Sequence, residues 1–183
     1  MKRLLAVLAL ALMLWGFGTP AEAAIPDDVQ KLLETKQCQV CILNEADLSN
    51  TDLNGANLKI AVLSDANLSG AKLGKANLML AEMEGANLSG ADLSGAQMNG
   101  ANLPNANLEG ADLSNVEMTQ ANLTNANLTD ANLSGAVMLS VILGTANLEG
   151  ANLEGANLRG VNRSMVLFCN TTMPDGRVEN RDC

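Results

Sequence analysis

A five-residue beat runs through most of this chain and leaves few folds open to it. From Ala46 the sequence repeats Ala, then Asp or Asn, then Leu, then two further residues. Calling the Leu position the centre, centres recur from Leu48 to Leu158 in 23 consecutive units without insertion. Nineteen are Leu and four are Met (Met83, Met98, Met118, Met138). Ala stands two residues before the centre in 20 of the 23 units, the exceptions being Thr51, Val116 and Val141. On an α-helix a five-residue step advances about 140°, so these Leu side chains would spiral around the axis and form no stripe. The spacers Asn, Ser and Gly also disfavour helix. A pleated segment fits: Ala points in, Asn or Asp out, Leu in. The two residues that follow have turn chemistry. Gly fills the second of them in 11 of 23 units, as a left-handed or type II corner asks.

Short sides joined by corners must wind into a coil, so that each backbone pairs with the turns before and after it. The number of sides is written in a second period. Met98, Met118 and Met138 recur at 20 residues, as do Asn67, Asn87, Asn107, Asn127 and Asn147. Leu48 to Leu148 at the same step are all Leu, and Phe168 comes next in that column. Four sides per coil put these residues in stacked columns, with the Asn residues as an external ladder and Phe168 as a lid.

With these motifs the chain resembles the pentapeptide-repeat family, closely over residues 46–160 and more loosely over 41–173. The resemblance implies an all-β fold, a right-handed quadrilateral β-helix. Nearly six coils at about 4.8 Å each make a rod on the order of 28 Å long. It does not imply a task, because the repeat residues are structural in every member.

The ends read differently. Lys2 and Arg3 precede an uncharged apolar run, Leu4 to Phe17, and Ala21-Glu22-Ala23 offers small residues for a signal peptidase. The run is shorter than the roughly 20 residues that span a bilayer, so residues 1–23 read as a signal peptide and no stable membrane insertion is expected after cleavage. No Arg pair precedes the run, which favours the general secretory route. Residues 24–40 read as an N-terminal cap with a short helix over 26–37, begun by Pro26, Asp27 and Asp28 and given an apolar face by Val29, Leu32 and Leu33. Residues 41–173 form the solenoid and 174–183 a C-terminal capping tail, opened by a Pro174-Asp175-Gly176 turn. At centre 163 the pattern decays to a charged residue, Arg163.

Loss of residues 1–23 would leave 9 basic and 19 acidic residues, a net charge of −10, and Phe168 as the sole aromatic. Base stacking and a basic footprint are both absent, which excludes nucleic acid as a partner. The four cysteines suit an exported chain with two disulfides, Cys169–Cys183 over the last coil and a local Cys38–Cys41. Nothing around Cys38-Gln-Val-Cys41 resembles a thioredoxin-type unit. The two Cys pairs lie at opposite ends of the rod and the chain has no His, against a shared zinc site. Without His or Tyr, and with no phosphate, calcium or nucleophile motif, no catalytic residue, cofactor or metal is expected. One deviation suggests an interaction surface. Ile60, Val62, Met79, Leu80, Val137, Leu139 and Ile142 are apolar at outward or corner positions, all placed on the third side or its border with the fourth. The leading reading is a non-enzymatic structural or interaction protein with an unknown partner, or self-association through this patch. A signal peptide suggests the periplasm, and the resemblance adds the thylakoid lumen. The alternatives are an acidic nucleic-acid mimic, as in family members that protect DNA gyrase, and a small-ligand or metal-binding protein.

Overall fold

The computed structural model describes residues 24–183; the signal peptide expected over residues 1–23 lies outside the described residues. No helix among the described residues is long and apolar enough to cross a membrane. The 20-residue recurrence is the step of a parallel ladder. The outward residue of each side bridges the residue 20 positions later, from Gln37 with Asn57 to Asn152 with Thr172. Asp47–Asn67, Asp52–Lys72, Asn57–Asn77 and Val62–Glu82 are four successive bridges, one per side. The chain is therefore a four-sided β-helix. Each rung is a pair of backbone bonds: Leu48 N–H donates to Asn67 O (2.8 Å) and Asn67 N–H to Ala46 O (2.9 Å). A single bridge is missing from this series, the one between Ile142 and Asn162.

Corners follow from the turn residues. Ala56 N–H donates to Leu53 O (3.0 Å) across a corner, and the second corner residue has positive φ, as in Asn50 (54°) and Gly55 (65°). That is the type II turn. The corner after Leu143 is built differently: its first residue, Gly144, carries the positive φ (52°).

Inside, the coil is narrow. Every centre from Leu48 to Leu153 is at most 1% exposed, and the Ala residues between are as deeply buried. Burying each Leu contributes roughly 1.5–3 kcal/mol, while Ala adds no side-chain entropy cost and keeps opposite walls close. Outside, the Asn column bonds to itself: Asn127 Nδ2 donates to Asn107 Oδ1 (3.1 Å) and Asn87 Nδ2 to Asn67 Oδ1 (3.3 Å). Oδ1 atoms of the same column accept corner amides, Asn67 from Ser69 and Asn127 from Thr129 (both 3.2 Å). At Asn147 the ladder turns aside to Thr129 Oγ1 (3.1 Å).

Both ends are covered, as exposed rungs and bare core require. Helix α1 (Pro26–Thr35) starts on Pro26, carries Asp27 and Asp28 in its first turn and seats Leu32 on the core. It stops two residues short of the expected end, because Lys36 turns left-handed (φ 55°) and Gln37 is already the first rung. Asp28 Oδ2 accepts the Ile42 amide (2.8 Å), fixing α1 to the first coil. At the other end Phe168 fills its column, 2% exposed. The tail doubles back as an antiparallel pair, β1 (Thr171–Thr172) with β2 (Val178–Glu179). Arg181 lies over the Phe168 ring, 5.1 Å from its centroid. Disulfides Cys38–Cys41 and Cys169–Cys183 complete the two caps.

Ala106 is 1% exposed between facing walls, so Ala106→Leu should overpack the coil and cost about 1–3 kcal/mol. An unchanged melting temperature would contradict the inward assignment. Deleting residues 86–105 removes one coil and keeps every later face in its column, whereas deleting five residues rotates them all; circular dichroism melts should separate the two.

Candidate interaction surface

The apolar deviations occupy a defined corner. Residues 40, 60, 80, 100, 120 and 140 stack at the second position of the corner between the third and fourth sides, and the first three are Val40, Ile60 and Leu80. All three hold positive φ (63°, 59° and 57°), a conformation that is costly for a bulky or β-branched side chain. All three are exposed, at 60%, 40% and 51%. Leu80 leans over Gly100, where an added Cβ would stand 2.7 Å from Leu80 Cδ2. Half-buried Met79 flanks the column, and Ile42 and Val62 stack beside it on the fourth side. The result is an apolar ridge along the first three coils.

The seven residues read from the sequence do not form one patch. Ile60, Val62, Met79 and Leu80 come together in this ridge. Val137, Leu139 and Ile142 lie about 14 Å further along the axis, three steps of about 4.8 Å. Asn99, Asn102, Glu117 and Gln120 fill the wall between. Val62 and Ile142 are also not at the corner; their places in the ladder put them mid-face on the fourth side. Two ridge members were missed, Val40 and Ile42, because they precede the strict beat. Counting back 20 residues from Ile60 and Val62 reaches them.

Cys38 and Cys41 hold inward positions at either end of the corner that contains Val40, and their disulfide closes it covalently. The start of the ridge is thus clamped in its left-handed turn. Among the described residues no group of three or more Cys, Asp or Glu comes together as a metal cage would need.

Charge is unevenly laid out. Residues 76–158 carry nine carboxylates and no Lys or Arg, whereas Arg159, Arg163, Arg177 and Arg181 crowd the last coil and tail. Three carboxyls are held below the usual Asp range. The Ser49 hydroxyl and amide do this for Asp47, at the head of the Asn ladder. The Asn54 amide and then Lys36 do it for Asp52. For Asp182 the donors are the Phe168 amide and then Arg181. A carboxyl whose folded pKa is depressed stabilises the fold fully above the ordinary value near 4 and stops doing so as pH falls through the lowered one. Melting temperature should therefore be level from neutral pH to about 5 and fall below about 4. Asp182→Asn should remove the part of that fall felt by the tail, read from amide exchange at Phe168; an unaltered acid response at Phe168 would disprove the role of Asp182.

The sequence profile for pentapeptide repeats in eight copies matches residues 41–79, 81–120, 101–139 and 143–173. No curated protein matches the chain. Among solved structures, the chain is similar to HetL of Nostoc sp. PCC 7120, a protein involved in heterocyst differentiation regulation. The two are 23% identical over 86% of this chain and 100% of HetL, with a TM-score of 0.32. A pentapeptide-repeat protein of the cyanobacterium Cyanothece 51142 is 26% identical over 80% of this chain and 97% of its own, TM-score 0.41. One from the Arabidopsis thaliana thylakoid lumen is 31% identical over 69% of this chain and 68% of its own, TM-score 0.31.

Proposed function

The chain belongs to the pentapeptide-repeat family, and we propose from that premise that it is an exported, non-enzymatic interaction module of the periplasm or thylakoid lumen. The observation that carries this reading is the strained ridge. Gly, Asn and Asp fill most second corner positions, and they adopt positive φ at little cost. Val40 and Ile60 are β-branched, solvent-facing and unfavourable there, so stability does not explain them. Backbone strain concentrated under exposed apolar side chains is the mark of a contact surface.

Export is supported by the signal pattern over residues 1–23 and by both disulfides, which persist in oxidising compartments. The absence of chemistry is supported by the use of the interior: among the described residues its buried positions are apolar apart from Thr171 and include no Asp, Glu, Lys or Arg. One observation favours the second reading, an acidic mimic of nucleic acid: the middle coils, residues 76–158, carry carboxylates and no Lys or Arg. The two readings differ in compartment and in surface, ridge against acidic middle coils.

Ile60→Asn and Leu80→Gly test the ridge. Each should relieve about 1 kcal/mol of left-handed strain and raise the melting temperature. Both should abolish capture of the partner by tagged protein from the exported fraction of its host. Sedimentation of the pure protein alongside shows whether the partner is a second copy. Unchanged capture by both variants retires the ridge, and retention with cytoplasmic DNA enzymes would transfer the case to mimicry.

A further inference from the structure

The missing rung has a cause in the sequence and leaves an opening. Position 163 is a centre, where the preceding 23 units place Leu or Met, and it holds Arg163. A guanidinium cannot enter the dry coil without a partner, and Arg163 is exposed. The fourth side of the last coil accordingly leaves the wall. Asn162 makes no bridge to Ile142, and neither bond of that rung, to Val141 O or from Leu143 N–H, is formed. One coil earlier Ile142 itself makes the same two bonds: Leu123 N–H donates to Ile142 O (2.7 Å) and Ile142 N–H to Ala121 O (2.9 Å).

Between the wall and the displaced segment lies a cavity of about 300 Å³, the lower end of ligand-site volumes. Ile142 and Met165, 56% and 64% exposed, make its apolar lining. Arg159 and Arg163 stand on either side of residues 160–162 and have no ion pair among the described residues, whose salt bridges use Lys36, Arg177 and Arg181. The opening thus offers one backbone acceptor, one donor and an apolar floor, and exposed Arg159 and Arg163 adjoin its lining residues Gly160, Asn162 and Ser164 in the chain.

We propose that this opening takes an extended acidic segment of a partner polypeptide as an added rung. One residue of the segment donates its N–H to Val141 O and accepts from Leu143 N–H, side chains on one face pack on Ile142 and Met165, and carboxylates meet Arg159 and Arg163. Added-strand pairing supplies affinity through main-chain bonds and selectivity through side-chain pockets. Charge complementarity selects the acidic segment over a basic one. The inference rests on the interaction-module reading but on different residues, so the Ile60 and Leu80 variants should retain it in full.

The probe is a short fluorescein-labelled peptide of alternating valine and glutamate, measured by anisotropy against full-length mature protein. Its lysine counterpart and an N-methylvaline version should bind about tenfold more weakly or worse. Arg159→Glu should weaken the acidic peptide about as much while the melt is unchanged. Arg163→Leu restores the repeat and should close the rung: peptide binding is lost and Leu143 amide exchange slows about tenfold or more, toward that of Leu123. In the unaltered protein Leu143 should exchange faster than Leu123. The proposal is overturned if Leu143 is already as protected as Leu123, or if the acidic peptide fails to bind. Equal binding of the lysine peptide, or binding indifferent to both Arg variants, overturns it too. Concentration-dependent dimerisation that displaces the peptide would give the site to a second copy instead.

Discussion

The whole molecule depends on one spatial constraint: four walls so close together that small residues, Ala and at two positions Val116 and Val141, must stand beside each Leu or Met. Leu alone would push the walls apart and Ala alone would leave voids, and close packing tolerates neither. The alternation settles which residues face inward, and that fixes the outward residues and hence the rungs between Asn67, Asn87 and their successors. Aromatic residues, which usually supply the largest share of a core, have no place along the wall. The one in the described chain, Phe168, sits where the last coil meets its cap.

Because the interior is constant, the corners and outer faces are free to vary, and variation there has local effects. A corner residue must accept positive φ, and Gly, Asn and Asp do so readily. Val40, Ile60 and Leu80 do not, yet they hold it, and their cost is carried by a stack of otherwise regular coils. Arg163 is the opposite case. It breaks the inward rule, and the chain responds by giving up one rung, between Ile142 and Asn162, while the sides around it stay paired through Val137–Asn157 and Asn147–Leu167. A solenoid whose units contact only their neighbours confines such defects.

The fold was legible because a strict period carries register as well as fold. The five-residue beat defined sides, and the 20-residue columns of Asn, Met and Leu defined coils. Where the beat fades, so did the reading. Helix α1 ends at Thr35, since a tertiary rung claimed Gln37 that local propensity had assigned to helix. Val40 and Ile42 are not aligned with Ile60 and Val62 by the beat, because the unbroken units begin only at Ala46. The seven-residue patch divided in two because spacing along the axis, unlike column membership, needs three dimensions to weigh. The displaced segment at Arg163 was visible as a charged centre, but the unpaired Leu143 amide is a property of the backbone alone.

Neither disulfide joins one coil to the next. Cys38–Cys41 closes a corner within the first coil, and Cys169–Cys183 holds the tail to the last. The first braces a corner beneath α1, whose own hold is Leu32 and the Asp28–Ile42 bond, and the second fastens the C-terminal lid. Beneath those lids the two ends of the stack are complementary, since the rungs between coils are parallel and the side chains repeat with nearly the same shape. A solenoid stripped of both lids meets another copy head to tail, a contact that closes no ring and continues into a filament. The lids, α1 at one end and the disulfide-tied tail at the other, thus do more than cover apolar surface: by closing both ends of the stack they give the solenoid a fixed length.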